Sequence, residues 1–530
     1  MRKFSSYGPV NTRLHYHAPR KALTDRAYDE LTGHDPLEGG HYITVWAPRQ
    51  TGKTWVMQQV VSRIREQGDF EAGIITMQSA KEIKSEERVL KFFVRCLSEW
   101  FEKDLPDIRE WDMLYSVFTK RCFSKPVILI LDEFDALGED FINKFANEFR
   151  DMYMRRKNQP GLPSEEKTCL LHGLALIGVR SVLGIENVTG SPFNVQRSVH
   201  IPNLTYRETE EMFADYEKES GQQIIPDVIR RIHDETRGQP GLTCWFGELV
   251  TETYNKNFPE PFSARNFEIV SAAAVKALPN NNILNIVSKA GREPYKFVIL
   301  ELFRTVKKTE FTYDDSLLNY LYMNGVISYE TENGTDYYAR FACPFVQKRL
   351  FNHFSREIFG EMGKMFEPFE DLSDTVSDES LNIPNLMRRF QNHLRKNREW
   401  LLKDAPRRKD LRICEAVYHF GLYRWLCDFL ETQYARVWPE FPTGNGKVDL
   451  IVRYADRTYA LELKSYTHER GYKEALDQAA LYGKDLGLAE VSLVFFVEYI
   501  DDAAREKYEK TYTHKESGVR VIPIFVDIGE

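Results

Sequence analysis

Between residues 41 and 200, short apolar runs alternate with longer stretches whose apolar positions recur at helical spacing. HYITVWA (41–47), AGIITMQ (72–78), PVILILD (126–132) and LHGLALIGV (171–179) are rich in Ile, Val and Leu on consecutive positions. A strand that is apolar on both faces is buried on both, and an amphipathic helix between two such strands returns the chain to a parallel neighbour. The pattern predicts an α/β domain. From Leu204 to about Tyr254 the texture turns helical, and PYKFVILELFRT and DDSLLNYLYMNGV read as further helices. They lead into VISYE, a turn at Glu332-Asn333-Gly334, and DYYARF, which together predict a hairpin. Two helices feeding a hairpin outline a winged helix.

The pattern then breaks. Residues 361–380 are acidic and poor in aliphatics, as in a solvated linker, and between Arg388 and Arg412 ten Lys or Arg face three acids. Beyond this the α/β texture returns, with a helix around 411–430, the strands KVDLIVRY and RTYALELKS, a helix through Gln478, and the strands SLVFFVEY and VRVIPIFVDI. The expected order is a P-loop core (1–203), a helical lid (204–290), a winged helix (291–358), a linker with a basic helical segment (359–407) and a separate α/β domain (408–530).

At 530 residues the chain is too long for one core, and 42% hydrophobic with 28% charged residues is a folded composition. A formal charge of −8 removes bulk attraction to nucleic acid, so such binding needs a local basic patch. The seven cysteines are scattered without a CxxC pair, which suggests neither a zinc site nor a disulfide framework. The first residues have no apolar core of a signal sequence and no stretch suits a membrane span, so the expected location is the cytoplasm.

Ala47-Pro48-Arg49-Gln50-Thr51-Gly52-Lys53-Thr54 follows the first strand and opens a helix. A triphosphate needs backbone N–H groups curled round its oxygens at a positive helix end. Gln50 and Thr51 belong to that curl, Gly52 admits close approach, Lys53 reaches the β/γ-phosphates and Thr54 offers a hydroxyl to Mg²⁺. Ala47 departs from the usual leading Gly. Asp132 ends a buried strand, where a carboxylate can hold the Mg²⁺ shell, and Glu133 beside it is placed to orient or deprotonate water. Arg180 ends the LALIGV strand, where it either senses the γ-phosphate or caps the strand toward solvent.

With YGPVNTRLHYHAPR upstream, ILILDEFD and RGQPGLT, this set resembles the bacterial AAA-like ATPases allied to the STAND signalling NTPases, over roughly residues 7–350. The resemblance implies ATP as a switch with slow hydrolysis, nucleotide-gated assembly into a homo-oligomer, and a lid turn at Gly238-Gln239-Pro240 touching the nucleotide. The winged helix's second helix carries acids and no Lys or Arg, so it reads as an arm relaying nucleotide state rather than a reader of the major groove.

The tail holds a second constellation. Asp449 lies on one predicted strand and Glu462-Leu463-Lys464 on the next, so Glu462 and Lys464 share a face. If the strands pair, Asp449 joins them, and two carboxylates with the Leu463 carbonyl make a hard-oxygen site for Mg²⁺ or Mn²⁺. The ordinary alternative is an amphipathic strand with alternating charges. D-x12-E-x-K resembles the PD-(D/E)XK nuclease fold, RecB-like members in particular, over about residues 408–530, with Val448 in place of the proline. By that resemblance Glu415 is an auxiliary acid, and Gln478 and Tyr482 share a face of the following helix. Arg388, Arg389, Arg395, Lys396, Arg407, Arg408 and Lys409 either guide a phosphate backbone toward this site or form a solvated face paired with the acidic linker.

The expected function is an ATP switch controlling a metal-dependent nuclease on DNA, with RNA second, and the resemblance places such couplings in antiviral defence with an unspecified trigger. A signalling scaffold that binds nucleic acid or protein without cutting, and a repair motor, are the alternatives. A motor would carry helicase motifs beyond the nucleotide site, which are not found.

Overall fold

The computed structural model describes residues 1–35, 39–178, 196–303, 308–366, 370–408, 413–440, 448–466 and 468–529, with Gln196, Val448 and Asp449 as backbone only. Two compact units, Met1–Val270 and Ser271–Glu530, divide the chain.

In the first, α1 (Lys21–Thr32) precedes β1 (Tyr42–Trp46), α2 (Lys53–Gln67), β2 (Glu71–Thr76), α3 (Glu86–Phe101), β3 (Val127–Asp132), α4 (Glu139–Lys157), β4 (Leu171–Gly178) and β5 (Gln196–His200). The strands form one sheet in the order β2-β3-β4-β1-β5, every pair parallel. All six residues of β3 are buried. Ile128 and Ile130 pack with Val56, Val60 and Ile64 of α2, whereas Leu129 and Leu131 pack with Phe93, Phe145 and Phe149 on the opposite face. Helices on both faces are the physical reason the strand is apolar at consecutive positions. The hydrophobic pattern does not predict β5, whose sequence QRSVH is polar because it is an edge strand.

The lid follows as α5 (Tyr206–Ser220), α6 (Pro226–Thr236) and α7 (Pro240–Glu248). Thr205 and Glu208 close a capping box at the start of α5, each accepting from the other's backbone N–H. The N-terminal residues lie on this lid: Phe4 is 3% exposed and packs against Tyr16, Phe213 and Tyr216, and Arg2 pairs with Asp215 and Glu219. The unit boundary falls within α8 (Ala264–Lys276).

The second unit starts with α9 (Asn281–Ala290), α10 (Tyr295–Leu302), α11 (Ser316–Met323), the hairpin β6 (Ile327–Glu332) and β7 (Asp336–Phe341), and α12 (Pro344–Ile358). This is the helix–helix–hairpin order of a winged helix. A small hairpin, β8 (Val376–Ser377) and β9 (Ser380–Leu381), leads to α13 (Ile383–Leu401) and α14 (Glu415–Phe429).

The rest is β10 (Arg436–Glu440), β11 (Val448–Tyr454), β12 (Arg457–Ser465), α15 (Glu469–Asp485), β13 (Glu490–Val497), α16 (Asp502–Tyr508), β14 (Tyr512–Thr513) and β15 (Arg520–Asp527). These strands make a six-stranded mixed sheet in the order β10-β11-β12-β13-β15-β14. It is antiparallel from β10 to β12 and parallel from β12 through β13 to β15. α15 covers one face with Ala475, Leu476, Ala479 and Ala480.

The acidic and basic segments read as a linker are integrated into this unit. Leu386, Met387, Phe390 and Leu394 of α13 are buried. Arg395 pairs with Asp527 at 2.6 Å, and Arg398 donates to the carbonyls of Ile528 and Gly529.

Candidate functional site

The loop between β1 and α2 carries the first site. Gln50 has φ 57° and Gly52 φ 88°, a left-handed curl that turns the chain into the start of α2. Gly52 meets the conformational demand, and no atom lies within 4 Å of where its Cβ would stand, which leaves the loop open toward a ligand. Ala47, the departure from the usual Gly, is fully buried. Lys53 Nζ donates to the Ala47 and Pro48 carbonyls at 2.8 Å each. Burial pushes the Lys53 ammonium down to about 8, with Arg49 adding to the effect while Asp135, Asp132 and Glu133 oppose it. A dehydrated cation in a loop of N–H donors is set to gain from an anionic ligand.

Thr54 Oγ1 donates to Asp132 Oδ2 at 2.6 Å, so the two groups expected to hold Mg²⁺ share one corner. This corner opens on a cleft of about 590 Å³ bounded by Gln58, Arg65, Thr76 and Trp100. The next residue, Glu133, takes φ 53°, an uncommon conformation for a residue with a Cβ, found where surrounding structure enforces it. Its Oε2 accepts from Thr76 Oγ1 at 2.9 Å. Thr76 was not among the sequence candidates, because a Thr at the end of an edge strand carries no signal until β2 is seen beside β3, with Thr76 paired to Asp132. Arg180 lies outside the described residues.

The lid meets this loop through the start of α7. Gln239 Nε2 donates to the Arg49 carbonyl at 3.0 Å and to the Gln50 carbonyl at 3.3 Å, and the Gly241 N–H donates to Gln50 O at 3.0 Å. Pro240, the sequence candidate, occupies the first turn of α7 where its missing N–H costs nothing, and its two neighbours make the contacts. Gly241 is required by proximity, since a Cβ there would fall 2.7 Å from Gln50 Cβ. Arg20, 5% exposed in its side chain, donates to the Pro202 and Asn203 carbonyls and pairs with Glu208 at 3.3 Å, which ties the upstream run to the start of the lid.

The second constellation assembles on the C-terminal sheet. Asp449 is the register partner of Glu462 across β11 and β12. Glu462 is 2% exposed. Lys464 Nζ stands 3.0 Å from Glu462 Oε1 as an ion pair, yet off the direction of a hydrogen bond, so among the described residues this buried oxygen has no hydrogen-bond donor. An orphaned, buried carboxylate oxygen fits a divalent cation. Lys464 also donates to Gln478 Oε1 at 3.3 Å. Gln478 thus orients the lysine from α15.

Glu415 opens α14, and one turn on lies His419, fully buried and, among the described residues, with no hydrogen-bond partner on either ring nitrogen. Burial drives His419 down to about 4, Glu415 pulls it up and Lys464 pushes it further down. The charges of both neighbours thus bear on one imidazole. His419 was missed in the sequence because it sits inside an apolar helix, AVYHFGLYRWL, and its i, i+4 spacing from Glu415 was the available signal. Among the described side chains no three His, Cys, Asp or Glu groups converge as a metal set, and Asp449 is not among those side chains.

The basic stretch is partly spoken for. Arg389 donates to Glu370 and Asp374, Arg395 to Asp527, and Arg388 to Asn385. Pairing with the acidic segment is the reading the structure gives Arg389, and Lys409 lies outside the described residues.

Residues 7–246 match the family model described as an AAA-like domain. The first unit carries an AAA-like P-loop ATPase domain, and its site fits ATP with Mg²⁺. No curated protein matches this chain. Among solved structures it is similar to the Orc1 protein of Aeropyrum pernix in complex with DNA, 15% identical, covering 63% of this chain and 92% of that one with a TM-score of 0.34. Cdc6p from Pyrobaculum aerophilum is likewise 15% identical, with 66% and 97% covered and a TM-score of 0.36. A Walker-type ATPase of Pyrococcus abyssi, also 15% identical, covers 66% and 98% with a TM-score of 0.41. No helix among the described residues is long and apolar enough to cross a membrane.

Proposed function

We propose that this protein is an ATP-operated switch controlling a metal-dependent nuclease that acts on DNA, with RNA the second candidate, in a defence role triggered by an invader. The observation that carries the nuclease half is the register pairing of Asp449 with the buried Glu462, whose Oε1 stands 3.0 Å from Lys464 Nζ.

At the first site bound Mg²⁺ supplies charge neutralisation on the triphosphate. Thr54 and Asp132 would hold it, Lys53 binds the β/γ-phosphates, and Glu133 orients or deprotonates the attacking water while Thr76 fixes its carboxylate. Gln239 and Gly241 link the loop to the lid, so occupancy of the loop is communicated to the helices that follow. This supports a switch, with homo-oligomer formation as its readout.

At the second site a bound Mg²⁺ or Mn²⁺ supplies an activated water and neutralises phosphodiester charge. Asp449, Glu462 and the Leu463 carbonyl would hold it, with Glu415 auxiliary. Lys464, oriented by Gln478, positions the nucleophile or stabilises developing charge.

Cleavage of plasmid, single-stranded DNA and RNA is assayed with Mg²⁺ or Mn²⁺, with and without ATP. Glu462→Ala abolishes cutting and leaves ATP binding intact; Lys53→Ala loses ATP binding and deregulates cutting. Cutting that survives Glu462→Ala removes the nuclease assignment. Nucleic-acid binding without cutting in any condition favours the scaffold, a reading supported by the arginines of α13 already engaged within the fold.

A further inference from the structure

β10 is the outer neighbour of the acid-bearing strands, and its last residue, Glu440, is the register partner of Asp449. Asp449 is in turn the partner of Glu462, so Glu440, Asp449 and Glu462 occupy one line across three adjacent antiparallel strands. Residues aligned in this way lie on one face of a sheet, about 5 Å apart from strand to strand, where like charges destabilise one another. Such a row needs compensating charge.

Lys464 supplies one ammonium at the Glu462 end. The other end is met from outside the sheet. Lys348 Nζ donates to Glu440 Oε1 at 3.0 Å. Lys348 belongs to α12, the helix that follows the winged-helix hairpin, and its side chain is 6% exposed against 27% for Glu440. An ammonium this deep would lack solvation without its carboxylate partner. Gln347 beside it is fully buried, and among the described residues neither of its amide atoms is hydrogen-bonded.

We propose that Glu440 is a positioning acid of the nuclease-like site and Lys348 its charge partner, so that the winged-helix part of the unit sets the electrostatic balance of the acid row. The proposal rests on the nuclease reading above and deepens it. The register row carries three acids, and Lys348 and Lys464 pair with Glu440 and Glu462 at its two ends, so the row keeps negative charge with which to attract a divalent cation. Any displacement of α12 that withdraws Lys348 leaves Glu440 uncompensated, adds a negative charge next to Asp449 and raises the affinity of the row for the cation. Nucleotide state relayed through the winged helix would thereby reach the site as a change in charge.

The test measures Mn²⁺ binding to the nucleotide-free full chain by electron paramagnetic resonance, without nucleic acid, and follows the component that Glu462→Ala removes. Lys348→Met tightens that component and Glu440→Gln weakens it, each by at least about threefold, the scale of one charge acting on a divalent ion at about 10 Å in a half-exposed setting. The double variant Lys348→Met/Glu440→Gln returns to within about twofold of the unaltered protein, because a neutral pair replaces a neutral pair. A merely structural contact would weaken binding in both single variants and would not restore it in the double. Thermal unfolding accompanies each measurement, and Lys348→Arg, which keeps the charge, retains the original affinity. Should Lys348→Met not fold, recovery from Glu440→Gln to the double variant carries the decision. Binding that depends on Glu462 but ignores Lys348 and Glu440, or single variants that both weaken it, overturns the coupling alone. Binding that is absent or indifferent to Glu462→Ala overturns the site reading, and the coupling with it.

Discussion

Gln239, the N-cap of α7 in the lid, donates its side-chain amide to the carbonyl of Arg49 in the phosphate loop at 3.0 Å. Two residues on, the Gly241 N–H reaches the Gln50 carbonyl at the same distance. The loop and the lid are thus joined by backbone groups of the loop itself, and a change in loop curl moves α7 directly. Gly241→Ala would place a methyl group against Gln50 Cβ at 2.7 Å and force the two apart. Its ATP affinity falls at least about tenfold, on the scale of lost loop–lid hydrogen bonds, measured by isothermal titration. Affinity equal to the unaltered protein would mean the lid contact has no part in binding.

The Thr76 hydroxyl occupies one oxygen of Glu133. A carboxylate that accepts a hydrogen bond is held in one orientation and is less free to turn toward a water. Thr76→Val therefore raises basal ATP turnover by about threefold or more, whereas Glu133→Gln abolishes turnover and keeps ATP binding. Steady-state phosphate release checks both, and turnover lowered by Thr76→Val would show that the hydroxyl supports Glu133 rather than restraining it.

Burial brings Lys53 down to about 8. A bound triphosphate places negative charge beside it and returns it toward its ordinary 10.5, so binding takes up a proton where the free loop is partly deprotonated. Between pH 8 and pH 9, uptake approaches about one proton per ATP. Titration calorimetry in buffers of different ionisation enthalpy reads this directly, and no buffer dependence at pH 8.5 would count against it.

His419 is neutral in the fold, its value carried from the ordinary 6.5 to about 4 by burial. The unfolded chain therefore binds the proton more readily, and this contribution to stability is full above pH 6.5 and lost as pH falls from 6.5 to 4. Displacement on that scale corresponds to about 3 kcal/mol. Unfolding midpoints of the full chain between pH 4 and pH 7 show the slope, and His419→Gln flattens it whatever its effect on absolute stability.

The N-terminal residues fasten the lid through Phe4, buried against Tyr16, Phe213 and Tyr216. Phe4→Ala leaves a cavity costing about 3–5 kcal/mol, read as a lower unfolding midpoint of the first unit by differential scanning calorimetry. A shift under about 1 °C would place these residues outside the cooperative fold.

The phosphate loop, Asp132 and the parallel strands were legible because each depends on local pattern: consecutive apolar residues for a doubly covered strand, a Gly-Lys-Thr run at a strand–helix junction, a carboxylate at a strand end. β5 was not legible, since an edge strand such as QRSVH keeps a polar face toward solvent. Charge counting placed 359–407 as a linker with a basic helix, yet α13 buries Leu386, Met387 and Phe390 and spends Arg395 on Asp527 of the last strand and Arg398 on the carbonyls that follow it. Composition records charge but not which partner, 132 residues away, accepts it.

By itself the sequence determined the elements and the chemistry available at their ends: which runs are strands, where a triphosphate fits, and that Glu462 and Lys464 share a face. Tertiary structure decided the company those residues keep. Thr76 reaches Glu133 through the order of strands, Gln239 reaches Arg49 through the path of the lid, and Lys348 reaches Glu440 through the packing of α12 on β10. Periodicity is a property of neighbours along the chain, whereas hydrogen bonds and ion pairs over tens to hundreds of residues depend on how the elements pack, which no local pattern encodes.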